Sequence, residues 1–191
     1  MKDDLHGYLG GGRDALLWKL DGLSEYDVRR PLTRTATNLL GLVKHAAAME
    51  ILYFGLVFGR PFEQELPYLG DAAETNADMW ATAEETREEI VALYRRASSH
   101  ADTTIEALAL DDVGRVPWWG DAAVTLHQVL VHVVAETQRH AGHADIVREL
   151  IDGAAGLLPS NDNLPPADEP WWREHRQRVE QAALDAGNRG T

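Results

Sequence analysis

Apolar residues recur at helical intervals through most of the chain, and no segment alternates apolar and polar residues as a half-buried strand would. Residues 4–20 place Leu5, Leu9, Leu16, Leu17 and Leu20 on one helical face. Gly10, Gly11 and Gly12 fall inside this stretch, and each weakens a helix by ~1 kcal/mol against alanine. The pattern leaves three explanations open: close helix packing, a kink, or a late start near Arg13. GLSEYDVRRP reads as a short connector, with Gly22 suited to a helix C-cap, Ser24 to an N-cap and Pro31 to a stop. A second helix is expected over residues 38–58, capped by Thr35 or Thr37, with Leu39, Leu40, Leu42, Val43, Ala46, Ala47, Ile51 and Leu52 facing the core. Residues 59–79 carry Pro61, Pro67 and Gly70 and read as a long irregular loop; such loops in compact domains are usually functional or mobile.

Thr82 and Glu85 have the spacing of a capping box, opening a third helix through about Leu110. Its apolar members include Ile90, Leu93, Tyr94, Ala97, Ala101, Ile105 and Leu108. An aromatic loop with Pro117, Trp118, Trp119 and Gly120 follows over residues 111–121. Thr125 can cap a fourth helix that ends near Asp152, where Gly153 suits the position beyond the C-cap. Residues 161–170 form a linker rich in Pro, Asn and Asp, and residues 171–186 a final amphipathic helix. Four long helices and a tail predict an all-α fold: a four-helix bundle with a C-terminal extra helix. The 191 residues suit a single domain, with residues 1–158 as its core and 159–191 as linker and last helix.

Charge and cysteine content narrow the chemistry. The chain carries 31 acidic against 18 basic side chains, a formal net charge of −13. Nucleic-acid binding needs clustered Lys and Arg to displace counterions, so no nucleic-acid partner is expected, and an anionic membrane surface is equally disfavoured. The first residues lack a signal peptide's apolar run, and nowhere do 18 uncharged apolar residues stand together. The expectation is a soluble cytoplasmic protein without membrane attachment. There are eight histidines and no cysteine. Disulfides, thiolate metal sites and a cysteine nucleophile are therefore excluded, and any metal must be held by imidazole and carboxylate.

The fourth helix concentrates that chemistry. His132, Glu136, His140 and His143 fall within about 80° of one another on the helical wheel. Their stripe borders the face of Leu126, Leu130, Val133 and Val134. Residues one turn apart stand ~6 Å from each other, so Glu136 with His140, or His132 with Glu136, can share a divalent ion. Acids and histidines on a helix flank are often merely solvated or salt-bridged, and one helix face cannot surround a metal. The second helix offers His45, a residue that in such apolar company is more often a hydrogen-bonded core side chain than a ligand. Glu50 lies about 140° further round that helix and faces elsewhere. A His45, Glu136, His140 set supplies two imidazoles and a carboxylate with open positions, which suits Zn²⁺, Ni²⁺, Mn²⁺ or Fe²⁺ and catalysis rather than a closed structural site.

The stretches LLWKLDGLSEYDVRRPL, LLGLVKHAAAMEILYF and HVVAETQRHAGHADIVRELIDG resemble the DinB-like superfamily over roughly residues 3–180. The likeness is strongest to an actinobacterial branch similar to the mycothiol-dependent maleylpyruvate isomerases. The resemblance implies a dimeric helical bundle of DinB-like type with one divalent metal, held by His45, Glu136 and His140. It also implies thiol S-transfer from mycothiol or bacillithiol to a small-molecule substrate. In that setting His143, one turn beyond His140, could orient a ligand or act as a base. Metal-assisted hydrolysis is chemically as easy, and a non-catalytic bundle that binds a metal or small ligand is the reading from another class. His132 is as readily a core-flank residue. His127 points to the far side of its helix, and His6, His100 and His175 are expected at the surface. Trp118, Trp119, Trp171 and Trp172 read as packing anchors that would wall a pocket only if they sit near the bundle mouth. Arg139 and Arg148 read as helix-surface arginines.

Overall fold

A computed structural model describes residues 1–70 and 72–189. Helix α1 (Lys2–Trp18) opens with Asp3 and Asp4 in its first turn, where carboxylates favour the helix dipole. It runs unbroken through the three glycines. Gly12 explains itself by close packing: a Cβ there would stand 2.8 Å from Thr137 Cγ2 and 3.0 Å from Gln138 Nε2 of the facing helix. Gly10 and Gly11 face open space, and nothing in the structure explains them. The connector forms a short α2 (Glu25–Arg29), capped by Ser24 as its sequence predicts.

Helix α3 (Leu39–Glu50) is capped by Asn38, whose side chain accepts from the Gly41 N–H, rather than by Thr35 or Thr37. The expected single helix to residue 58 is interrupted: a π-helical turn, Ile51–Gly55, and a 3₁₀ turn, Leu56–Phe58, carry the chain to left-handed Gly59. The stretch Leu39–Phe58 is long and apolar enough to cross a membrane, yet 78% of its apolar window is buried inside the protein. Helix α4 (Arg87–Ala107) starts one turn later than expected, with Thr86 and Glu89 forming the complete capping box.

The aromatic loop and the residues that follow it form two strands that the hydrophobic pattern did not disclose. Val113–Val116 (β1) and Ala122–Thr125 (β2) pair antiparallel, with Val113 opposite Thr125 and Val116 opposite Ala122. Only Gly114 and Val116 of β1 are buried. Four residues with a glycine among them are too short for a readable alternation. The fold is thus mostly helical, with a small two-stranded sheet. Helix α5 (Leu126–Asp152) has its capping box at Thr125 and Gln128 and ends at left-handed Gly153, as expected.

Helices α1 and α5 pack together, α3 packs on α4, and α3 also meets α5. One part of the core joins Leu16, Leu40, Val43, Ala47, Tyr94, Ala144 and Val147. The other gathers Leu9, Phe54, Val57, Ile105, Val116, Leu126, Leu130 and Val133 beneath the hairpin. Helix α6 (Glu169–Asn188), capped by Asp168, buries none of its residues.

Candidate functional site

Helices α3 and α5 bring His45 and His140 together. Their ring centroids are 4.8 Å apart at an interplanar angle of 73°. His45 is fixed from behind by Asp78, a residue the sequence pattern did not single out: Nδ1 and the Asp78 Oδ2 are 2.6 Å apart. Asp78 sits on a 3₁₀ turn, Ala77–Met79, that is strapped onto α3. Lys44 Nζ donates to the carbonyls of Ala77 and Trp80 at 2.9 and 3.0 Å and pairs with Glu85 at 2.7 Å. The strap lies so close that a Cβ on Gly41 would overlap the Met79 carbonyl. The His45 hydrogen bond holds the Asp78 carboxyl below its ordinary pKa against the opposing effect of burial. An ionised Asp78 can only accept, so Nδ1 of His45 donates to it and Nε2 is the ring nitrogen left available to a ligand.

His140 is the least satisfied polar group of the site. Both ring nitrogens are buried and neither has a hydrogen-bond partner. Nε2 lies 3.6 Å from Glu136 Oε2, too far for a hydrogen bond. Burial, followed by repulsion from His45, pushes the His140 pKa down to about 4 even with Glu136 opposing. The ring is therefore neutral near pH 7, with a lone pair that nothing engages. His143 is exposed, and its ring stands 5.6 Å from that of His140.

This donor set suits a divalent ion in its chemistry. Two donor atoms each ~2.1 Å from one ion at a tetrahedral angle stand roughly 3.4 Å apart, close to the 3.6 Å between Glu136 and His140. Yet among the described residues no three His, Asp or Glu side chains are grouped so as to hold an ion. The residues expected as ligands are thus adjacent, with one pair at ligand spacing and the full set not closed.

His132 takes another role. Its ring packs 4.8 Å from Tyr53 and 4.9 Å from Trp119. Trp118 and Trp119 thereby flank the same stripe of α5, whereas Trp171 and Trp172 pack with His175 on α6. His6 and His100 are not free surface groups: His6 lies 2.7 Å from Asp102, and His100 lies 2.7 Å from the Arg60 carbonyl. Arg148 is buried rather than on the surface, donating to the Lys19 and Asp21 carbonyls and pairing with Asp152. Glu50 does face away from His45, into a buried pairing with Arg13 on α1. A cleft of about 680 Å³ opens between the strap and α4, lined by Lys44, Tyr68, Trp80 and Leu93; neither His45 nor His140 lines it.

No curated protein matches the chain. The family model for mycothiol S-transferases matches residues 4–153, which run from α1 through α5 and include His45, Asp78, Glu136 and His140. That span is 150 of the 191 residues; outside it lie residues 1–3 and residues 154–191, which include the linker and α6. With helices α3 and α5 placing two histidines and an acid side by side in a cysteine-free chain, the chain belongs to the mycothiol S-transferase family of the DinB-like superfamily.

Proposed function

We propose that the protein is a metal-dependent S-transferase that joins the sulfur of mycothiol to a small electrophile, with His45, Glu136 and His140 holding one divalent ion. The observation that carries this reading is His140: a neutral imidazole with both nitrogens buried and unpartnered, beside a carboxylate and a second imidazole. Burying such a group without a partner costs free energy, which a bound cation would relieve. Two imidazoles and one carboxylate suit Zn²⁺, Ni²⁺, Mn²⁺ or Fe²⁺ and leave positions open.

A divalent ion held there supplies Lewis acidity that favours a thiolate over a thiol. Asp78 fixes the tautomer and direction of His45 so that Nε2 is the free donor. Glu136 contributes the negative charge that keeps cationic character in the site. His143, exposed one turn from His140, would serve as the base that takes the thiol proton. With no cysteine in the chain, the attacking sulfur is the cosubstrate's. Its electron pair forms the bond to the electrophilic carbon, and the leaving group departs with its own pair. The same reading takes residues 1–158 as a four-helix bundle core that dimerises in the cytoplasm, with 159–191 as an appendage.

Incomplete convergence of the three ligands favours a second reading, a bundle that binds a metal or small ligand without catalysis. Elemental analysis of protein purified without a nickel column tests the site: near-stoichiometric metal is expected, and His45→Ala or His140→Ala should remove it. Unchanged metal in both variants sinks the ligand set. Metal-replete protein that fails to accelerate loss of an electrophile in the presence of mycothiol establishes the second reading instead.

A further inference from the structure

Trp118 and Trp119 are 44% and 43% exposed, an unusual cost for two adjacent indoles. They are nonetheless not loose. They occupy a 3₁₀ turn, Pro117–Trp119, at the tip of the β1–β2 hairpin. The hairpin is seated on the 3₁₀ turn Leu56–Phe58: a Cβ on Gly114 would come within 2.5 Å of the Val57 carbonyl. The Trp118 Nε1–H donates to the Tyr53 hydroxyl at 3.3 Å, and the two rings meet nearly edge-on at 5.2 Å. Trp119 is braced by His132, at 4.9 Å and 90°. Tyr53 itself lies in the π-helical turn, a rare geometry that recurs at functional sites.

This cluster adjoins the candidate centre. His132 is one helical turn before Glu136, ~6 Å along α5. Burial, with the Glu136 carboxylate nearby, raises the pKa of the Tyr53 hydroxyl. Each indole is therefore held by a neighbour and left partly exposed, and the histidine that braces Trp119 lies one helical turn from Glu136. Rigid aromatic faces offer large contact area at little entropic cost and favour flat π-systems.

We propose that Trp118 and Trp119 set the specificity of the transfer by stacking an electrophile with a flat aromatic body, while Tyr53 and His132 act as positioning residues that hold the indoles. This inference rests on the S-transferase reading, so its test has one arm that needs turnover and one that does not. In the first, mycothiol is alkylated by benzyl chloride or by allyl chloride, which lacks the ring. A sulfur–carbon bond forms, chloride leaves with the bonding pair and the thiol proton passes to buffer. Trp118→Ala and Trp119→Ala should each raise KM for benzyl chloride about tenfold more than KM for allyl chloride. Tyr53→Phe, which removes only the hydroxyl, should raise KM for benzyl chloride about threefold.

In the second arm, unreactive benzyl alcohol is titrated against the protein and the indole N–H signals are followed by NMR. Saturable shifts of Trp118 and Trp119 are expected with benzyl alcohol and not with allyl alcohol. An unchanged benzyl-to-allyl preference in both tryptophan variants overturns the proposal, as does a raised KM for mycothiol in its place. Indole shifts that follow protein concentration rather than alcohol mark a contact between copies and also overturn it. Absent turnover with benzyl alcohol still bound at the indoles removes the S-transferase reading and leaves the aromatic site standing.

Discussion

Removing Arg13 while leaving Glu50 in place should destabilise the protein more than any single surface change. The Glu50 side chain is 1% exposed and that of Arg13 10%. Arg13 grips the carboxylate through two bonds, Nε to Oε1 and Nη2 to Oε2, both 2.8 Å, and reaches Asp102 with Nη1 at 2.7 Å. Arg13→Met keeps the aliphatic bulk and leaves the Glu50 charge buried without a counterion. Breaking one side of such a pair costs about 3–5 kcal/mol. At roughly 2–4 °C per kcal/mol for a chain of this size, Tm should fall by about 6–20 °C. Asp102 loses the same partner but is 34% exposed, so its share is small.

The pH dependence of that loss has a definite sign. Burial pushes the Glu50 carboxyl above its ordinary pKa even with Arg13 present, and without Arg13 the rise is larger. Across that window the native state binds a proton that the unfolded chain has released, so stability falls as pH rises. The deficit of Arg13→Met should therefore be smaller at pH 5 than at pH 8, read as Tm by circular dichroism. Arg13→Met with Glu50→Leu removes both charges and should recover most of the loss, because an apolar replacement of a buried pair is often close to neutral. A loss under about 1 kcal/mol refutes the reasoning, and so does a double variant no better than the single one.

Three further outcomes follow from the site. In metal-free protein His140, whose pKa falls to about 4 on folding, should make stability drop as pH falls from 6.5 towards 4, by roughly 3 kcal/mol at most. His140→Leu should flatten that slope in denaturant titrations; an unchanged slope assigns it to other groups. Asp78→Asn should weaken metal binding about 10–100-fold by releasing the orientation of His45, measured by competition with a chromogenic chelator, and equal affinity would remove Asp78 from its positioning role. Gly41→Ala should displace the strap from α3 at a cost of about 1–3 kcal/mol and weaken metal binding alongside; full stability with full affinity would show that the strap does not position Asp78.

Features that depend on a few neighbouring residues were legible in the sequence. Ser24 and Thr125 cap α2 and α5 through bonds to the backbone three residues on, and Gly153 closes α5 in the left-handed region. The misplaced start of α4 shows where such local reading stops. Half of the expected box exists, since the Thr82 N–H donates to Glu85 at 2.8 Å. Glu85 is also claimed by Lys44 from α3, and the helix begins a turn later with Thr86 and Glu89. The histidine stripe on α5 was legible because one helix sets its spacing. Asp78 was not, because its approach to His45 depends on contacts that α3 makes with a strap more than 30 residues on. Tyr53 was hidden for a different reason: the π-helical turn breaks the 3.6-residue period by which its direction would have been read.

Helix α3 shows why a polar residue in an apolar segment identifies no function by itself. LLGLVKHAAAME carries Lys44, His45 and Glu50 in a stretch otherwise suited to complete burial. At about 100° per residue, His45 lies 100° round from Lys44 and Glu50 a further 140° or so. The three therefore point to three different neighbours: Lys44 to the strap and Glu85, His45 to Asp78 and His140, and Glu50 to Arg13. Lys44 and Glu50 are each held by an opposite charge, as burial requires. His45 alone has a nitrogen left over after its partner is satisfied, and across from it His140 has two. That surplus of unengaged imidazole donors between α3 and α5, rather than the presence of polar residues in the helix, distinguishes the candidate centre from the two structural anchors beside it.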